Sequence, residues 1–298
     1  MKNQKKAYLF ALIAVAFWST MGTAFKLTLN YIGYLQLLLY ATLISVCLLF
    51  VILLIQHKFY IFRQISRKDI LLSAGMGFLN PFLYYVVLLK AYSILLAQEA
   101  VVLNYIWPVM LVLLSIPILK QKIGWQSILA IIVSFSGTVI ITFHGDFSGF
   151  TLSDPVGIVL ALCSTIIWAL FWLLNVKDKR EEVSKLLLNF VFGFLYILIF
   201  SAFYSDIFIK SWQGLLGACY VGFFEMGITY IIWLMALKLS ATTAKVTNLI
   251  YLSPFTSLIF IHFIVGEKIL ISTITGLVLI IAGIVWQQLT ATTNTLKE

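Results

Sequence analysis

Two strongly polar side chains, Glu225 and Asn80, interrupt long apolar stretches of this sequence. A carboxylate at the centre of a bilayer costs at least about 2.5–3.5 kcal/mol, so its presence there indicates a function or a stabilising partner. Glu225 could receive a solute's amino group, select a cationic solute or bind a coupling proton; alternatively, it joins helices as a protonated or hydrogen-bonded group. On continuous helices, Thr229 would share the face of Glu225, and Tyr84 would share that of Asn80. We predict that both polar residues belong to a binding site.

Six aromatic side chains lie near the centres of apolar stretches, away from the depth of an interfacial belt: Trp18, Tyr84, Tyr105, Trp107, Trp168 and Tyr251. Such rings offer flat apolar walls to a planar solute, and their hydroxyl and indole groups can orient it. For any single ring, packing between helices is an equal alternative. As a set, they predict a binding cavity that includes Glu225 and Asn80.

Two prolines, Pro108 and Pro254, lie near the centres of two apolar stretches. Each removes a backbone hydrogen bond and clashes with the preceding turn, so a kink or a break is expected. In hydrocarbon such a break must face protein or a water-filled cavity, which favours a gating role over a tolerated packing kink. Glu99 lies near the predicted outer end of its stretch, where it is a gate contact, a proton site or an acid favoured by the helix dipole.

The elements that must position these residues are apolar stretches of membrane-spanning length. With 62% hydrophobic and 10% charged residues, and a mean hydropathy of +1.06, a chain of 298 residues is not a water-soluble globule. A spanning helix needs roughly 20 residues, and ten stretches come near that length. We predict an all-α integral membrane protein with ten transmembrane helices, at about residues 7–27, 35–55, 70–91, 97–118, 124–143, 156–175, 186–203, 213–237, 243–265 and 269–289.

The basic residues predict the topology. The net charge is +9, but the Lys and Arg residues lie in alternate loops and form no single basic face, which argues against nucleic acid as a partner. Cytoplasmic loops carry the excess of Lys and Arg. We therefore predict a multi-pass protein of the inner (plasma) membrane with both termini cytoplasmic, because one set of loops and tails holds Lys2, Lys5, Lys6, Lys58, Arg63, Arg67, Lys68, Lys120, Lys122, Lys177, Lys179, Arg180, Lys185, Lys238, Lys245 and Lys297.

The second half of the sequence repeats the first. At an offset of 145 residues, Gly77, Tyr85 and Ala91 match Gly222, Tyr230 and Ala236, and Asn80 matches Glu225. At an offset of 146, the matching pairs are Leu103 and Leu249, Tyr105 and Tyr251, Pro108 and Pro254, Lys122 and Lys268, and Gly137 and Gly283. Five spans are an odd number, so residues 1–143 and 144–298 are predicted to form two inverted five-helix repeats. Such repeats supply two packings around a midplane site and are typical of transporters.

Two further features have simple structural interpretations. Lys26 lies near the end of a span, where snorkelling to the lipid headgroups explains it. The small residues Ser73 and Gly77 could pack helices within one chain or between two chains, so the oligomeric state stays open.

Three segments resemble a known family: residues 16–22 (AFWSTMG), 98–108 (QEAVVLNYIWP) and 121–125 (QKIGW). They are similar to the EamA type of the drug/metabolite transporter superfamily, and more narrowly to its aromatic amino acid exporters. The resemblance implies a ten-helix, basket-like exporter whose first, third, fourth, sixth, eighth and ninth spans surround a central cavity. Glu225 departs from the pattern, because those exporters usually have a small hydroxyl residue at that position.

We therefore expect a carrier that exports aromatic or other hydrophobic amino acids by alternating access, with small solutes and the lipid bilayer as partners and a coupling proton as a possible third. The alternative within transport is an exporter of amines, drugs or nucleotide-like metabolites, and the remote alternative is a membrane-embedded lipid enzyme or a structural subunit. The sequence contains no P-loop, dinucleotide fingerprint, metal-spaced His/Cys cluster or nucleophile elbow. We expect no enzymatic activity, cofactor or metal, and transport that is passive or ion-coupled.

Overall fold

The computed structural model describes residues 3–58, 60, 65–119, 124–144, 154–240, 246 and 248–295, and in these residues every regular element is helical. This confirms the all-α fold. Several residues used to predict the topology lie outside the described residues, namely Lys2, Arg63, Lys120, Lys122, Lys245 and Lys297.

The first half of the chain contains helices α1 (Gln4–Leu29), α2 (Tyr34–Ile55), α3 (Arg67–Gly77), α4 (Tyr84–Ile94), α5 (Ala97–Asn104), α6 (Trp107–Leu119) and α7 (Trp125–Thr142). A π-helical segment, Phe78–Leu83, joins α3 to α4. Polar side chains fix where helices begin. The side chain of Asn3 accepts the Lys6 N–H at the start of α1, and Ser66 forms a capping box with Asp69 at the start of α3.

The second half contains α8 (Pro155–Lys177), α9 (Glu182–Tyr204), α10 (Trp212–Phe224), α11 (Ile228–Leu239), α12 (Leu252–Phe260) and α13 (Ile271–Thr295). A 3-10 segment, Asn248–Tyr251, precedes α12, and a π-helical segment, Ile261–Val265, follows it. Asp154 begins α8, because its carboxylate accepts the N–H groups of Val156 and Gly157, and Pro155 takes the first helical position.

Seven described stretches are long and apolar enough to cross a membrane: Gln4–Leu29, Tyr34–Ile55, Arg67–Ile94, Ala97–Ile118, Pro155–Asn175, Glu182–Tyr204 and Trp212–Leu239. Three shorter apolar helices, Ile128–Thr142, Leu249–Val265 and Ile271–Trp286, occupy the remaining positions at which the sequence predicts spans. These lengths agree with a membrane protein. The count of ten crossings and the inverted relation of the repeats stay predictions.

Several long apolar stretches consist of two helices each. The helix is interrupted at Tyr105, before α6, and the 3-10 segment interrupts the other proline-containing stretch before α12. Pro108 is the second residue of α6 and Pro254 the third of α12. The breaks predicted from the two prolines are confirmed, and each proline sits where a missing N–H is tolerated, in a first helical turn.

Two other breaks separate residues that the sequence placed on common helical faces. Asn80 has non-helical dihedrals (φ −148°, ψ 120°) within the segment between α3 and α4. Glu225 follows the last residue of α10, and α11 begins only at Ile228. The prediction that continuous helices align Glu225 with Thr229, and Asn80 with Tyr84, is therefore wrong. Thr229 instead donates its hydroxyl to the Phe224 carbonyl, an acceptor at the end of α10.

Helices α7 and α13 pack closely against each other. A methyl group at Gly283 would lie 2.2 Å from Ser134 Oγ, and one at Gly137 would lie 2.4 Å from the Gly276 carbonyl oxygen. The Ser134 hydroxyl also donates to the Ile280 carbonyl (3.2 Å). Small residues thus allow the two backbones to approach closely, as is common between helices in membranes.

Helices α3 and α9 make a second close approach. A methyl group at Gly77 would lie 2.2 Å from the Asn189 carbonyl oxygen, and one at Gly193 would lie 2.4 Å from Pro81 Cδ. Ser73, one turn from Gly77, accepts a hydrogen bond from Arg180 (2.8 Å). The spacing of Ser73 and Gly77 therefore packs helices within one chain.

Charged side chains connect the loop between α8 and α9 to α2 and α3. Arg180 donates to Asp178 (2.7 Å) and to the Asp69 carbonyl (3.0 Å), and Lys58 pairs with Glu181 at 2.7 Å. Burial alone would raise the pKa of Asp178, but the hydrogen bonds and charge of Arg180 outweigh burial and lower it. The ionised form of Asp178 therefore stabilises this loop.

Asp178→Asn is expected to lower the thermal midpoint of the purified protein by the same amount at every pH from 5 to 8. Because the folded pKa of Asp178 is lowered, its contribution is present above the unfolded pKa of about 3.9 and is lost as pH falls through the folded pKa. The measurement is a thermal melt of wild type and variant in detergent from pH 8 to pH 3. Asp206→Asn, at an exposed side chain, is the control; a wild-type-to-variant difference that varies between pH 6 and pH 8 would contradict the assignment.

Candidate functional site

A cavity of about 340 Å³ lies between α1, α4, α5, α6, α8 and α11. Its volume is within the range of about 300–1,000 Å³ that is usual for small-molecule sites. Nine of its nineteen described lining residues are aromatic: Trp18, Phe25, Tyr84, Tyr92, Tyr105, Trp107, Trp168, Trp172 and Trp233. The cavity is therefore mainly an apolar, aromatic space.

The structure brings together six of the residues that the sequence singled out for binding: Trp18, Tyr84, Tyr105, Trp107, Trp168 and Glu225. Asn80 and Tyr251 are not among the described lining residues. Asn80 is completely buried in the break between α3 and α4. Pro108 and Pro254 are also not among them. They lie in the first turns of α6 and α12, close in sequence to Trp107 and Ile250, which line the cavity.

Glu225 is the one charged side chain among the described lining residues. Its Oε1 accepts a hydrogen bond from the Tyr85 hydroxyl at 3.0 Å. Its Oε2 is buried and has no hydrogen-bond partner among the described residues. A buried carboxylate oxygen that lacks a donor is costly, so this atom favours a proton or a cationic group nearby.

Tyr230 and Asn80 form a polar group next to Glu225. The Tyr230 hydroxyl faces the side chains of Tyr85 and Asn80 without a hydrogen bond of regular geometry to any described residue. Tyr85 and Tyr230 occupy matching positions of the sequence repeat, as do Asn80 and Glu225. Four residues from two matched pairs thus meet at one place beside the cavity, where the Tyr85–Glu225 hydrogen bond joins two of them.

The aromatic walls are formed by rings in contact with one another. The centroids of Tyr84 and Trp168 are 4.6 Å apart and their planes are tilted by 32°. Trp18 packs edge-on against Trp233 at 5.4 Å. Tyr230 contacts both central tryptophans, Trp18 at 6.2 Å and Trp168 at 6.4 Å. These tilted and edge-to-face contacts have the geometry that aromatic pairs prefer, and they form a continuous aromatic wall.

Asn104, on the last turn of α5, supplies an uncharged polar contact in the cavity. Its Nδ2 donates to Ser164 Oγ at 3.0 Å, and its Oδ1 accepts from the Tyr84 hydroxyl at 3.4 Å. These bonds fix the orientation of Tyr84 against α8. Of the residues that line the cavity, Asn104 therefore serves mainly to position an aromatic wall.

The two ends of the cavity differ in exposure. At the end near the turn between α4 and α5, which we call the α4–α5 end, Phe25, Tyr92 and Val101 are 2%, 3% and 6% exposed. At the opposite end, where α11 ends, Trp172 and Leu237 are partly exposed. We call this the α11 end. Among these lining residues, the side chains at the α4–α5 end are buried, whereas Trp172 and Leu237 at the α11 end are partly exposed.

Polar contacts hold the α4–α5 end. The Lys26 ammonium donates to the carbonyls of Leu95 (2.6 Å) and Tyr92 (3.2 Å), at the end of α4. Lys26 therefore caps a helix, a contact that the snorkelling interpretation did not include. Glu99 accepts the Leu96 N–H (3.3 Å) and pairs with His144, which fits both a helix-start acid and a contact at a gate.

Sequence reasoning missed three features of this site. Pro81 next to Asn80 signals a break in the third span, and the matched pair Tyr85 and Tyr230 signals polar groups shared by the two repeats. Both of these features are visible in the sequence. The contact between Gln98 and Glu267, which are 169 residues apart, left no local signal. Within the part of the chain that the structure describes, no group of His, Cys, Asp and Glu residues is placed to hold a metal ion.

Comparison with known proteins decides the family. The model of the EamA-like transporter family matches residues 5–143 and again residues 155–287. The chain belongs to the EamA-like transporter family. It is accordingly a multi-pass membrane protein of a transporter family, and its EamA membership points away from an enzyme.

Similar proteins agree with the EamA assignment. An uncharacterized transporter of Clostridium kluyveri is 28% identical over 292 residues, covering 94% of this chain and 92% of its own length. One of Archaeoglobus fulgidus is 23% identical over 284 residues, covering 94% and 97%. A crystal structure that is 17% identical matches the fold of this chain with a TM-score of 0.67, over 98% of this chain and 99% of its own. The named relatives are transporters, and the solved structure supports the fold.

Proposed function

We propose that this EamA-like protein is a carrier that works by alternating access through the midplane cavity. Its ten spans form two five-helix repeats, residues 1–143 and 144–298, inserted with opposite orientations. Three observations support this proposal. The family model matches the chain twice, breaks occur at the matched positions Asn80 and Glu225, and the cavity is lined by residues of both repeats. Inverted repeats with broken helices around a central site are a common transporter design.

The proposed location is the inner (plasma) membrane, with both termini in the cytoplasm. The distribution of Lys and Arg over alternate loops supports this orientation. The α11 end, near the start of α1, then faces the cytoplasm, and the α4–α5 end faces outwards. The described conformation is therefore open inwards.

The proposed substrates are aromatic or other hydrophobic amino acids, moved out of the cell. The observation that carries this proposal is the cavity itself, with nine aromatic lining residues and one carboxylate, Glu225. Aromatic walls favour a planar side chain. The Glu225 Oε2 atom, which has no donor among the described residues, would accept the substrate's amino group.

A second candidate is export of amines, drugs or nucleotide-like metabolites. It is favoured by the charge of the cavity, because the described lining residues include no Lys, Arg or His that would receive the carboxylate of an amino acid. An amine without a carboxylate needs only Glu225 and the faces of the tryptophans, to which a cation is attracted.

Gating and coupling roles complete the proposal. Pro108 and Pro254 lie in the first turns of α6 and α12, next to breaks in the helices, so they are placed to act as hinges. Glu99, with His144, is a contact at the closed α4–α5 end. Glu225 is the proposed site of a coupling proton, since protonation would remove its buried charge when no substrate is bound.

Counterflow in proteoliposomes tests the proposal. Vesicles loaded with unlabelled tryptophan or phenylalanine are expected to accumulate labelled tryptophan, and unlabelled aromatic amino acids outside are expected to block the uptake. The panel of competitors includes aromatic amines of the same ring systems, without the carboxylate, and the assay is run at pH 6 and pH 8. Empty liposomes are the control.

The results of this assay distinguish the proposed functions. Competition by tryptophan supports an amino acid exporter, whereas exchange with amines alone supports the second candidate and keeps the transport mechanism. Rates that differ between the two pH values support a coupling proton. Absence of exchange with any solute of the panel, from folded and monodisperse protein, would contradict the proposed function.

A further inference from the structure

Helices α5 and α13, which lie in different repeats, cap each other. The Glu267 carboxylate accepts the backbone N–H groups of Ala97 (2.8 Å) and Gln98 (3.2 Å) at the start of α5. In return, Gln98 Oε1 accepts the Leu270 N–H and the Thr273 hydroxyl, both at 2.9 Å, at the start of α13. Gln98 Nε2 also donates to the Lys268 carbonyl (2.9 Å). We call Gln98 and Glu267, with these contacts, the cross-repeat clamp.

The local backbone and burial favour the hydrogen bonds of both clamp residues. Gly266 has a φ of +82°, a left-handed conformation that favours glycine, and it ends the π-helical segment immediately before Glu267. The start of α5 carries the partial positive charge of a helix N-terminus, which favours a carboxylate. Gln98 is only 1% exposed, so its hydrogen bonds form away from water, where they are strong.

The clamp lies at the α4–α5 end of the cavity, next to a lining residue of α5. Val101, one turn after Gln98 on α5, lines the cavity and is 6% exposed. The same end is held by Lys26 on the last turn of α4 and by the Glu99–His144 pair. The clamp joins residues of the first repeat to residues of the second at this end, so a movement that separates the repeats here must break it.

The sequence repeat does not reproduce the clamp at the α11 end. At the offset of 146 residues, Gln98 matches Ala244 and Glu267 matches Gln121. Alanine has no side-chain hydrogen-bonding group, and glutamine lacks the charge that doubles the strength of such bonds. Both counterparts lie outside the described residues, and this comparison rests on residue type alone.

From this asymmetry we infer that the cross-repeat clamp is the latch of the gate at the α4–α5 end, and that it sets the resting carrier to open at the α11 end. The inference rests on the proposed alternating access. Perfectly matched repeats would populate the two facing states equally, because each state would have the same contacts. The matched positions carry no such pair of side chains, so the clamp adds the free energy of its contacts to the state that is closed at the α4–α5 end. Gln98 and Glu267 are not among the described lining residues, so they are positioning residues.

Cysteine labelling in oriented vesicles tests the latch. Cys47, Cys163 and Cys219 are replaced, and a single cysteine is introduced at Met21, which lines the cavity near the α4–α5 end and is 4% exposed. A membrane-impermeant maleimide is added on the α4–α5 side, and labelling of Met21→Cys is timed. In a second set of vesicles the maleimide is added on the α11 side, and labelling of Leu237→Cys reports access to the cavity from the α11 end.

Two variants convert clamp residues into their own repeat counterparts, Gln98→Ala and Glu267→Gln. Each is expected to speed labelling of Met21→Cys from the α4–α5 side by about tenfold and to slow labelling of Leu237→Cys, because tenfold in an equilibrium is ~1.4 kcal/mol, a typical value for a charge-assisted bond. Thr273→Val removes one donor at nearly constant volume and should give a smaller change in the same direction. Gln36→Ala, which removes contacts between α2 and Phe208 at the same end, is the matched control.

The outcomes separate the latch from the transport mechanism. Unchanged labelling in Gln98→Ala, Glu267→Gln and Thr273→Val, with wild-type counterflow retained, would overturn the latch and leave the carrier intact. Wild-type protein that shows no counterflow, and whose labelling pattern never responds to substrate, would overturn alternating access and the latch with it. If Gln98→Ala elutes as aggregate, the comparison of Glu267→Gln and Thr273→Val with Gln36→Ala decides the question.

Discussion

Replacing Glu225 with Gln is expected to lower counterflow of substrates that carry an amino group by about 10- to 100-fold, because a hydrogen bond to a charged group contributes about 1.5–3 kcal/mol. The amide keeps the volume of the side chain and an acceptor for the Tyr85 hydroxyl. It lacks the negative charge that would pair with an ammonium group in the aromatic cavity. If Glu225 also carries the coupling proton, the same variant should transport at equal rates at pH 6 and pH 8.

Tyr85→Phe is the matched control for Glu225→Gln. It removes only the hydroxyl that donates to Glu225 Oε1 at 3.0 Å, so a smaller loss of about 2- to 10-fold is expected, with the pH dependence retained. The measurement is counterflow at both pH values with protein of equal thermal stability. Wild-type rates and wild-type pH dependence in Glu225→Gln would remove this carboxylate from both binding and coupling.

The second large effect concerns two glycines of α3. Gly77→Ala is expected to destabilise the protein by about 1–3 kcal/mol, or to prevent its folding, because the new methyl group would lie 2.2 Å from the Asn189 carbonyl oxygen on α9. Both atoms belong to packed helices, so neither can move away without separating them. The measurement is the thermal midpoint in detergent, followed by size-exclusion chromatography.

Gly75→Ala, in the same helix, is expected not to destabilise the protein. No atom lies within 4 Å of the added methyl group. Alanine is favoured over glycine in a helix interior by up to ~1 kcal/mol, so the midpoint should stay equal or rise. Equal loss of stability in Gly75→Ala and Gly77→Ala would show that helix propensity, rather than the contact with α9, governs this region.

Much of the architecture follows from properties that act locally along the chain. Apolar stretches of spanning length are visible because lipid demands them, and Pro108 and Pro254 mark breaks because a proline removes a backbone donor wherever it stands. The aromatic wall was also predictable, since Trp18 and Trp168 sit at matched depths and meet across the cavity through Tyr230.

The remainder depends on which surfaces meet, and the sequence does not reveal that. The break after Glu225 contains no proline, and its neighbour Gly227 packs so closely that a methyl group there would lie 2.5 Å from Leu48 Cδ2. Asn80 was predicted to share the binding surface with Glu225, but it lies among buried side chains next to Tyr230. Gln98 and Glu267 meet because Gly266 turns the chain back, a relation between distant segments that no local pattern encodes.

The close pairing of α7 and α13 also has a consequence for synthesis of the protein. Gly137 and Gly283 are separated by 146 residues, which a ribosome adds in about 7–30 s at about 5–20 residues per second. Throughout that time the small-residue face of α7 has entered the membrane while its partner has not yet been made. The insertion machinery, or the acyl chains around it, must occupy this seam until the last helix arrives.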